Sequence, residues 1–453
     1  MISNTHIMKK GIIYLAMLVA MAIAVGFVLD KNHSKGQAYM PLKAREAKLA
    51  QAADWADTKS KAEDLLKKII ANPKDEKSKL QLSSIYIQEA RVTGDHLYYD
   101  KAAMQIVNAI LKNDSTNFEG LCFKSMLYLS EHHFTDGLKY AQKAQIINPY
   151  NSFVYGLLTD AFVELGNYKS AVEMTDKMVA IRPDLRSYSR VSYLREIHGD
   201  YLGAIDAMKM AVAAGYPGAE ETEWARVKLG HLFENVGDLK NAAIQYQMAL
   251  AERADYAYAY AGLGRVAKTN KQYTESMGYF IKADSLVEDY SFKDELIDIY
   301  AATNDKANSE KTAQHVLDKL TADAAGGTKD ENIGHYADRE LAYVYIKTGD
   351  YDKAVEHAIM EYNRRPDNID VNEALAWAYY KKGDVSNAIN YIKTALHTQS
   401  QNPTLLSRAS LIYLKSGDVA KAKELMQKAI ANKAYIAPAL LEEMTNGITS
   451  KAA

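Results

Sequence analysis

The sequence predicts an all-α protein, an α-solenoid of stacked helical hairpins that follows an N-terminal hydrophobic helix. Three observations lead to this fold class. One pattern of aromatic, Gly-Asp and Ala residues recurs about every 34 residues, and apolar residues between the turns follow the helical period of roughly 3.6 residues. In addition, 24 Gly and 8 Pro in 453 residues are too few for a turn-rich β architecture.

The composition excludes several classes of function. Lys and Arg total 55 against 57 Asp and Glu, so the chain lacks the positive field of a nucleic-acid-binding protein, and we expect no nucleic-acid partner. The single cysteine, Cys122, excludes an internal disulfide framework, a four-cysteine zinc site and a cysteine redox pair. It falls in a repeat helix, where we expect it to be buried, and no motif predicts a cofactor.

The first element is an apolar segment at residues 11–29, which contains no charged residue and follows a basic flank at residues 1–10. At about 1.5 Å per residue it spans the core of a bilayer, so it predicts a membrane anchor or a signal peptide. We favour an uncleaved anchor, because the apolar run continues to Leu29, beyond the small residues that a signal peptidase would use. Lys9 and Lys10 predict a cytoplasmic start, which places the solenoid outside the cytoplasm in the cell envelope; a cleaved signal would leave it secreted or periplasmic.

An internal repeat covers most of the remaining chain. One small residue marks each copy, and successive marks are 33 to 38 residues apart except for one interval of 45 between Ser309 and Ala354. The long interval indicates an inserted loop, which we place at residues 321–334. The ten marker residues are Ala102, Gly137, Ala171, Ala204, Ala242, Ser276, Ser309, Ala354, Ala388 and Ala422.

Each copy is interpreted as two helices joined by a tight turn. In one well-registered copy, apolar residues with helical spacing run over 372–381 and again over 385–397. Between them, Gly383 is expected to end the first helix and Asp384 to cap the second. One hairpin leaves apolar surface on both faces, so neighbouring hairpins must stack into a solenoid.

The same residues carry a resemblance to a known family. Tyr345 to Ala358, which reads YIKTGDYDKAVEHA, and the following Pro366 are similar to the pattern of the tetratricopeptide repeat. The chain resembles that family from about residue 83 to 434. The resemblance implies a right-handed superhelix of helical hairpins, without catalytic residues, that binds a protein or peptide partner on its concave face.

The repeat and its flanks predict the organisation of the chain after the apolar segment. We expect an N-terminal helical cap, a first part of the solenoid, the inserted loop, a second part of the solenoid, and a C-terminal capping helix with a tail. In that order they occupy residues 40–82, 83–320, 321–334, 335–434 and 435–453.

The resemblance also implies which first-helix positions line the concave groove. Large aromatic side chains there are not needed for hairpin packing, so we expect them to be exposed, whereas Tyr379 is expected in the hairpin core. Glutamates occur on this face in the early copies and lysines in the late ones. The candidate partner-binding residues are Trp224, His231, Tyr258, Arg265, Tyr336, Arg339, Tyr343, Lys347, Glu373, Trp377, Tyr380, Lys381 and Lys415.

Some residues could suggest chemistry but do not predict it. His132 and His133 are adjacent, yet their side chains diverge and the neighbouring sequence offers no further ligand, so we place them in an inter-helix turn and expect no metal site. Glu234 and His231, three residues apart on one helix face, are the best candidates for an acid-base pair. The sequence contains no HExxH, Gly-x-Ser-x-Gly or P-loop motif, so we expect no enzyme activity.

The sequence therefore favours a non-catalytic interaction scaffold that is exported and tethered to the membrane through residues 11–29. Its expected partner is a protein or peptide held in the concave groove. The alternative is an accessory subunit that recruits substrate to an envelope enzyme or a secretion complex, with catalysis in another chain. Neither the partner nor the oligomeric state follows from the sequence.

Overall fold

The computed structural model describes residues 39–452 except 53, 326–333 and 432. This part of the chain contains no β-strand, which confirms the all-α prediction. A 3-10 helix at Ala47–Gln51 precedes 22 α-helices. These are α1 (Trp55–Ala71), α2 (Glu76–Thr93), α3 (His96–Asn113), α4 (Phe118–Ser130), α5 (Phe134–Ile147), α6 (Ser152–Glu164), α7 (Tyr168–Ile181), α8 (Leu185–Ile197), α9 (Tyr201–Ala213), α10 (Glu220–Asn235), α11 (Leu239–Glu252), α12 (Ala257–Thr269), α13 (Tyr273–Asp284), α14 (Tyr290–Ala302), α15 (Lys306–Ala325), α16 (Asp338–Thr348), α17 (Tyr351–Arg364), α18 (Ile369–Lys382), α19 (Val385–Ala395), α20 (Pro403–Ser416), α21 (Val419–Ala431) and α22 (Pro438–Ala452).

The helices from α2 to α21 form ten hairpins, which we number as units 1 to 10 in chain order. Each marker residue lies in the second helix of its unit, so one copy of the sequence repeat corresponds to one hairpin. The first unit begins at Glu76, earlier than the predicted start at residue 83. Each helix packs mainly against its neighbours in the chain, and the stack is a solenoid.

The turns inside the units follow the predicted chemistry. Gly383 ends α18 at a φ of 90°, a left-handed conformation that glycine adopts without steric cost. The side chain of Asp384 then accepts a hydrogen bond from the backbone N–H of Asn387 and caps α19. Lys271 and Asn304 occupy the turn-glycine position in units 6 and 7 and adopt the same conformation, at φ of 61° and 60°.

The two helices of a unit cross closely where a small residue lies on each. Ala376 and Ala388 occupy this crossing in unit 9, and both are fully buried. In unit 10, Ser410 Oγ donates a hydrogen bond to the carbonyl oxygen of Ala422 at 2.8 Å. Nine of the ten marker residues are buried and Ser309 is half-buried, so the repeated small residue is what lets the helices approach.

The stack closes on itself after six units. The inter-helix turns of units 2, 3 and 4 contact the loops that enter units 8, 9 and 10, about 200 residues later in the chain. His133 Nε2 lies 2.8 Å from the carbonyl oxygen of Gly334. A Cβ on Gly166 would lie 2.3 Å from the carbonyl carbon of Asp367. Successive superhelical turns therefore touch, and we call this set of contacts the junction.

Polar groups join units 3 and 9 at the junction. Arg365, the residue that follows α17, is 2% exposed. It forms ion pairs with Glu361 of α17 and with Glu164 of unit 3. Asn368 Nδ2 donates a hydrogen bond to the carbonyl oxygen of Glu164 at 3.0 Å. The backbone N–H of Ile369 donates a hydrogen bond to the hydroxyl of Tyr168 at 2.9 Å. These bonds satisfy polar groups that closure removes from water.

Both ends of the stack are covered, although the N-terminal end differs from the prediction. A helical cap was expected from residue 40, but α1 begins only at Trp55. The extended chain before it is held by Arg45, which is 5% exposed and donates to both carboxylate oxygens of Glu89 at 2.6 and 2.8 Å. At the other end α22 packs on α20 and buries Met444 completely, as expected of a capping helix.

The inserted loop and the apolar segment were predicted on parts of the chain that are only partly described. α15 continues to Ala325, so the first five residues of the predicted loop 321–334 are helical. Residues 11–29 lie outside the described residues, and among the described ones no helix is both long and apolar enough to cross a membrane. Cys122 is 1% exposed, which confirms its predicted burial.

We expect a larger side chain at the crossing to destabilise the folded protein. Ala388→Leu places a larger side chain at a fully buried position and should lower the free energy of unfolding by about 1–3 kcal/mol. Ser386→Leu adds the same side chain at an exposed position of α19 and should change that free energy by less than about 0.5 kcal/mol. Guanidinium denaturation followed by circular dichroism measures both, and equal effects would contradict the close crossing.

The junction predicts different outcomes for two glycines that share one backbone conformation. Gly166 and Gly383 have φ of 80° and 90°, so alanine costs each a similar strain of about 1–2 kcal/mol. Only Gly166 faces the next superhelical turn, because a Cβ on Gly383 meets nothing within 4 Å among the described residues. Gly166→Ala should open the junction and increase the radius of gyration in small-angle X-ray scattering, whereas Gly383→Ala should not. An unchanged radius for Gly166→Ala would show that the turns do not touch in solution.

Candidate protein-binding surface

The predicted groove is the inside of the closed superhelix, a space we call the lumen. First helices of successive units contact one another there, and Arg91 of unit 1 reaches Glu220 of unit 5 at 2.9 Å. Tyr193 of unit 4 is 42% exposed, yet burial raises its pKa well above the usual value. Both observations hold because the side chain faces water in a space surrounded by protein. A partner that uses these residues has to lie inside the lumen.

Ion pairs line the lumen from unit 3 to unit 10. In six of these pairs the acid comes from unit 3, 5, 7 or 9 and the base from unit 4, 6, 8 or 10. This pairing neutralises charges that closure partly removes from water. The pairs include Asp160–Arg190 at 2.8 Å, Glu234–Arg265 at 3.0 Å, Lys268–Glu295, Asp294–Lys347 at 2.8 Å, Arg339–Asp370 at 3.6 Å and Glu373–Arg408 at 2.9 Å.

The candidate acid-base pair belongs to this network. His231 Nδ1 lies 3.8 Å from the carboxylate of Glu234. That carboxylate also accepts hydrogen bonds from Arg265 and from the hydroxyl of Tyr246. Burial acts to raise the pKa of Glu234, but Arg265 and His231 lower it to about 2. A carboxylate held in this way stays ionised near neutral pH, so the geometry does not favour proton transfer by this pair.

A cavity of about 490 Å³ in the lumen brings four of the candidates together. Trp224, His231, Tyr258 and Arg265 line it, and we call it the central cavity. Lys228 lines it as well, with Nζ 5.6 Å from the centre of the Trp224 ring. Lys228 was not among the candidates, although it lies four residues after Trp224 and three before His231 and therefore shares their helix face.

Lys228 differs from the arginines of the central cavity in its charge partners. Arg91 pairs with Glu220, and Arg265 pairs with Glu234. Lys228 has no carboxylate within 4 Å in the described part of the chain. Lys228 is exposed to the water of the lumen, yet the protein that surrounds this space desolvates its ammonium group and lowers its pKa. The more distant carboxylate of Glu196 offsets this effect only in part. The central cavity thus contains a cation without a direct counter-charge.

The candidates of units 9 and 10 are engaged within the chain. Trp377 was expected to be exposed but is only 6% exposed, because the Tyr380 ring stacks on it at 5.0 Å and the Arg408 guanidinium lies 5.2 Å from it. The Tyr380 hydroxyl donates to Glu443 of α22 at 2.7 Å. Lys381 lies 3.8 Å from the same carboxylate. The terminal helix therefore covers this end of the predicted groove.

The remaining candidates occupy three different surroundings. Tyr336 lies at the junction, where its ring stacks on His133 with centroids 3.9 Å apart. Lys415 is exposed, and Tyr379 stacks on Tyr391 at the edge of the hairpin core, where it is only half-buried. The polar network of the lumen contains Arg339, Tyr343, Lys347 and Glu373.

Comparison with solved structures finds similar chains. A chain of the Cut9–Hcn1 heterotetramer of the APC/C is 18% identical with a TM-score of 0.44, over 79% of this chain and 64% of that one. This chain therefore spans less than two thirds of its length. TTC0263, a thermophilic tetratricopeptide repeat protein of Thermus thermophilus, is 20% identical with a TM-score of 0.37, over 43% of this chain and 97% of that one. A tetratricopeptide repeat protein from Parabacteroides merdae is 16% identical with a TM-score of 0.33, over 58% and 98% of the two chains.

Comparison of the sequence itself finds a family match for one part of the chain. No curated protein matches the chain. Residues 373–435, which include most of units 9 and 10, match the sequence profile of the tetratricopeptide repeat. Unit 9 contains Gly383, Asp384 and Ala388, the turn and crossing residues that define the repeat here. The match is confined to these residues, and the described part of the chain is an all-helical solenoid.

Proposed function

We propose that this protein is a non-catalytic scaffold that holds an extended segment of a partner protein in its lumen. The observation that carries the proposal is the central cavity, where Trp224, His231, Tyr258 and Arg265 line one space of about 490 Å³. Stacked helical repeats create inner surfaces of this kind and use them for binding. No part of the proposal requires a reacting group on this chain.

The central cavity combines aromatic surface with an unpaired positive charge. Trp224 and Tyr258 are half-buried, so part of each ring remains open to a partner. Aromatic residues and arginine supply much of the binding energy at protein interfaces. An acidic side chain of the partner would pair with Lys228, which has no carboxylate within 4 Å among the described residues. The partner segment therefore carries an apolar or aromatic residue beside an acidic one.

We further propose that the scaffold works in the cell envelope, anchored by residues 11–29 with the solenoid outside the cytoplasm. The support lies in the sequence, because this segment has no charge and follows Lys9 and Lys10. The described chain starts at residue 39, and nine residues, 30–38, separate it from the anchor. At full extension these span about 30 Å, so the solenoid would begin close to the membrane surface.

A photo-reactive amino acid in place of Trp224 should cross-link to a discrete partner in the natural host, because this position lines the central cavity. Adding Lys228→Glu to the same chain should reduce the cross-link at least about tenfold, since it replaces attraction of an acidic segment by repulsion. Mass spectrometry of the product would identify the partner and the segment that touches the cavity.

Lys240 provides the matched control, because it is exposed on α11, the second helix of unit 5, and carries the same charge. Lys240→Glu should leave the cross-link from position 224 unchanged. A photo-reactive residue at position 240 should not form the same product. A product that forms from position 240, or that survives Lys228→Glu, would contradict binding in the central cavity.

If residues 11–29 anchor the protein, a charge near their middle, at Val19, should weaken membrane insertion. Val19→Asp should cost about 2.5–3.5 kcal/mol of membrane insertion and shift the protein from the membrane fraction to the soluble fraction. Val19→Leu keeps the segment apolar and serves as the control. Cell fractionation and immunoblotting measure the distribution. Unsubstituted protein that is soluble and starts near Val25 would show a cleaved signal instead.

A further inference from the structure

Three potential metal ligands converge at the junction between units 2 and 8. His132 lies in the turn of unit 2, whereas His335 and Glu340 lie about 200 residues later, before and within α16. One ligand atom of each residue lies within 4.8 Å of the other two. The two imidazole rings have centroids 4.2 Å apart. From the sequence we expected no metal site at His132, because its neighbours in the chain offer no ligands; the fold supplies them from unit 8.

One ring nitrogen of His132 has a lone pair that could bind a metal ion. Nδ1 lies 2.9 Å from the carbonyl oxygen of Tyr336, to which it donates, so Nε2 keeps its lone pair. Metal-binding histidines commonly have such a carbonyl or carboxylate behind the ring.

Glu340 supplies a carboxylate that is only partly satisfied. It is 6% exposed, and its Oε1 accepts a hydrogen bond from Arg339 at 3.2 Å. Its Oε2 is buried and has no hydrogen-bond donor among the described residues. A buried carboxylate oxygen without a donor is costly, so a cation beside it would be stabilising.

We propose that His132, His335 and Glu340 bind one divalent metal ion of the zinc class, which clamps unit 2 to unit 8. Two imidazole nitrogens and one carboxylate oxygen are a ligand set of zinc sites, with water in the fourth position. Zinc binds such nitrogen and oxygen atoms at about 2.0–2.2 Å, and these ligands come from two units, so one ion would join unit 2 to unit 8. Glu131, which is buried, lies 3.9 Å from His335 Nδ1, beyond hydrogen-bond distance.

The test uses the full-length chain, purified in detergent without a histidine tag and freed of metal. Cobalt(II) is the probe, because it occupies zinc sites and gives visible absorption bands that depend on its coordination. We expect one cobalt ion per chain, displaced by excess zinc. We also expect a higher melting temperature with zinc than without it, since a ligand that binds the folded state stabilises it.

Three variants each remove one ligand. His132→Gly suits the left-handed turn, Glu340→Gln keeps the shape of the side chain, and His335→Ala removes the second ring. Each should weaken cobalt binding at least about tenfold and abolish the effect of zinc on the melting temperature. His315→Ala, which removes an exposed histidine of α15, is the matched control and should leave both unchanged.

The proposal is overturned if the unsubstituted chain gives no cobalt absorption in excess metal. It is also overturned if binding survives His132→Gly combined with Glu340→Gln, or if His315→Ala causes the same loss. Should His335→Ala fail to fold, the other two variants still decide, because neither changes a packed apolar residue.

Discussion

The solenoid depends on one close crossing between the two helices of every unit. The helices can approach there only if the residues that face each other are small, because larger side chains would hold them apart. In units 5 and 6 a glycine of the first helix leaves space that an aromatic ring of the second helix fills. A Cβ on Gly230 would lie 2.5 Å from the ring of Tyr246, and one on Gly264 would lie 2.8 Å from that of Phe280. The rings of Tyr246 and Phe280 are therefore needed for packing within their units.

Closure of the superhelix follows from the regularity of these crossings. Hairpins of similar geometry add similar rotations, so the turn of one unit meets the loop that enters the sixth unit after it. Closure converts an open groove into a lumen, where charges lose part of their water and have to be paired. Ion pairs between neighbouring units provide this pairing. The contacts that repeat along the junction are His132 with Tyr336, Gly166 with Asp367, and Gly199 with Gln399.

Features that depend on chemistry within one unit could be predicted from the sequence. Gly383 and Asp384 form the expected turn, and the four candidates of the central cavity come together because the same two positions recur on the first helices of units 5 and 6. Features that depend on distant contacts could not. The burial of Trp377 involves α22, whose Glu443 comes from the end of the chain. The neighbours of His132 come from six units away, and no pattern within a single repeat indicates them.

The crossings and the junction differ in how they can open. Parting a crossing exposes alanine, glycine and apolar rings to water, which is unfavourable. The junction joins units 3 and 9 through Arg365 with Glu164 and through Asn368 with a backbone carbonyl, and water can replace these partners when the turns separate. Its apolar part is smaller than that of a crossing, because unit 9 contributes Ile369 to the apolar cluster of units 3 and 4. We therefore expect the superhelix to open at the junction while the hairpins stay folded, so that the lumen can admit a protein segment from the side. A metal ion that joins units 2 and 8 would favour the closed state of the superhelix, because it would bind that state more tightly than the open one.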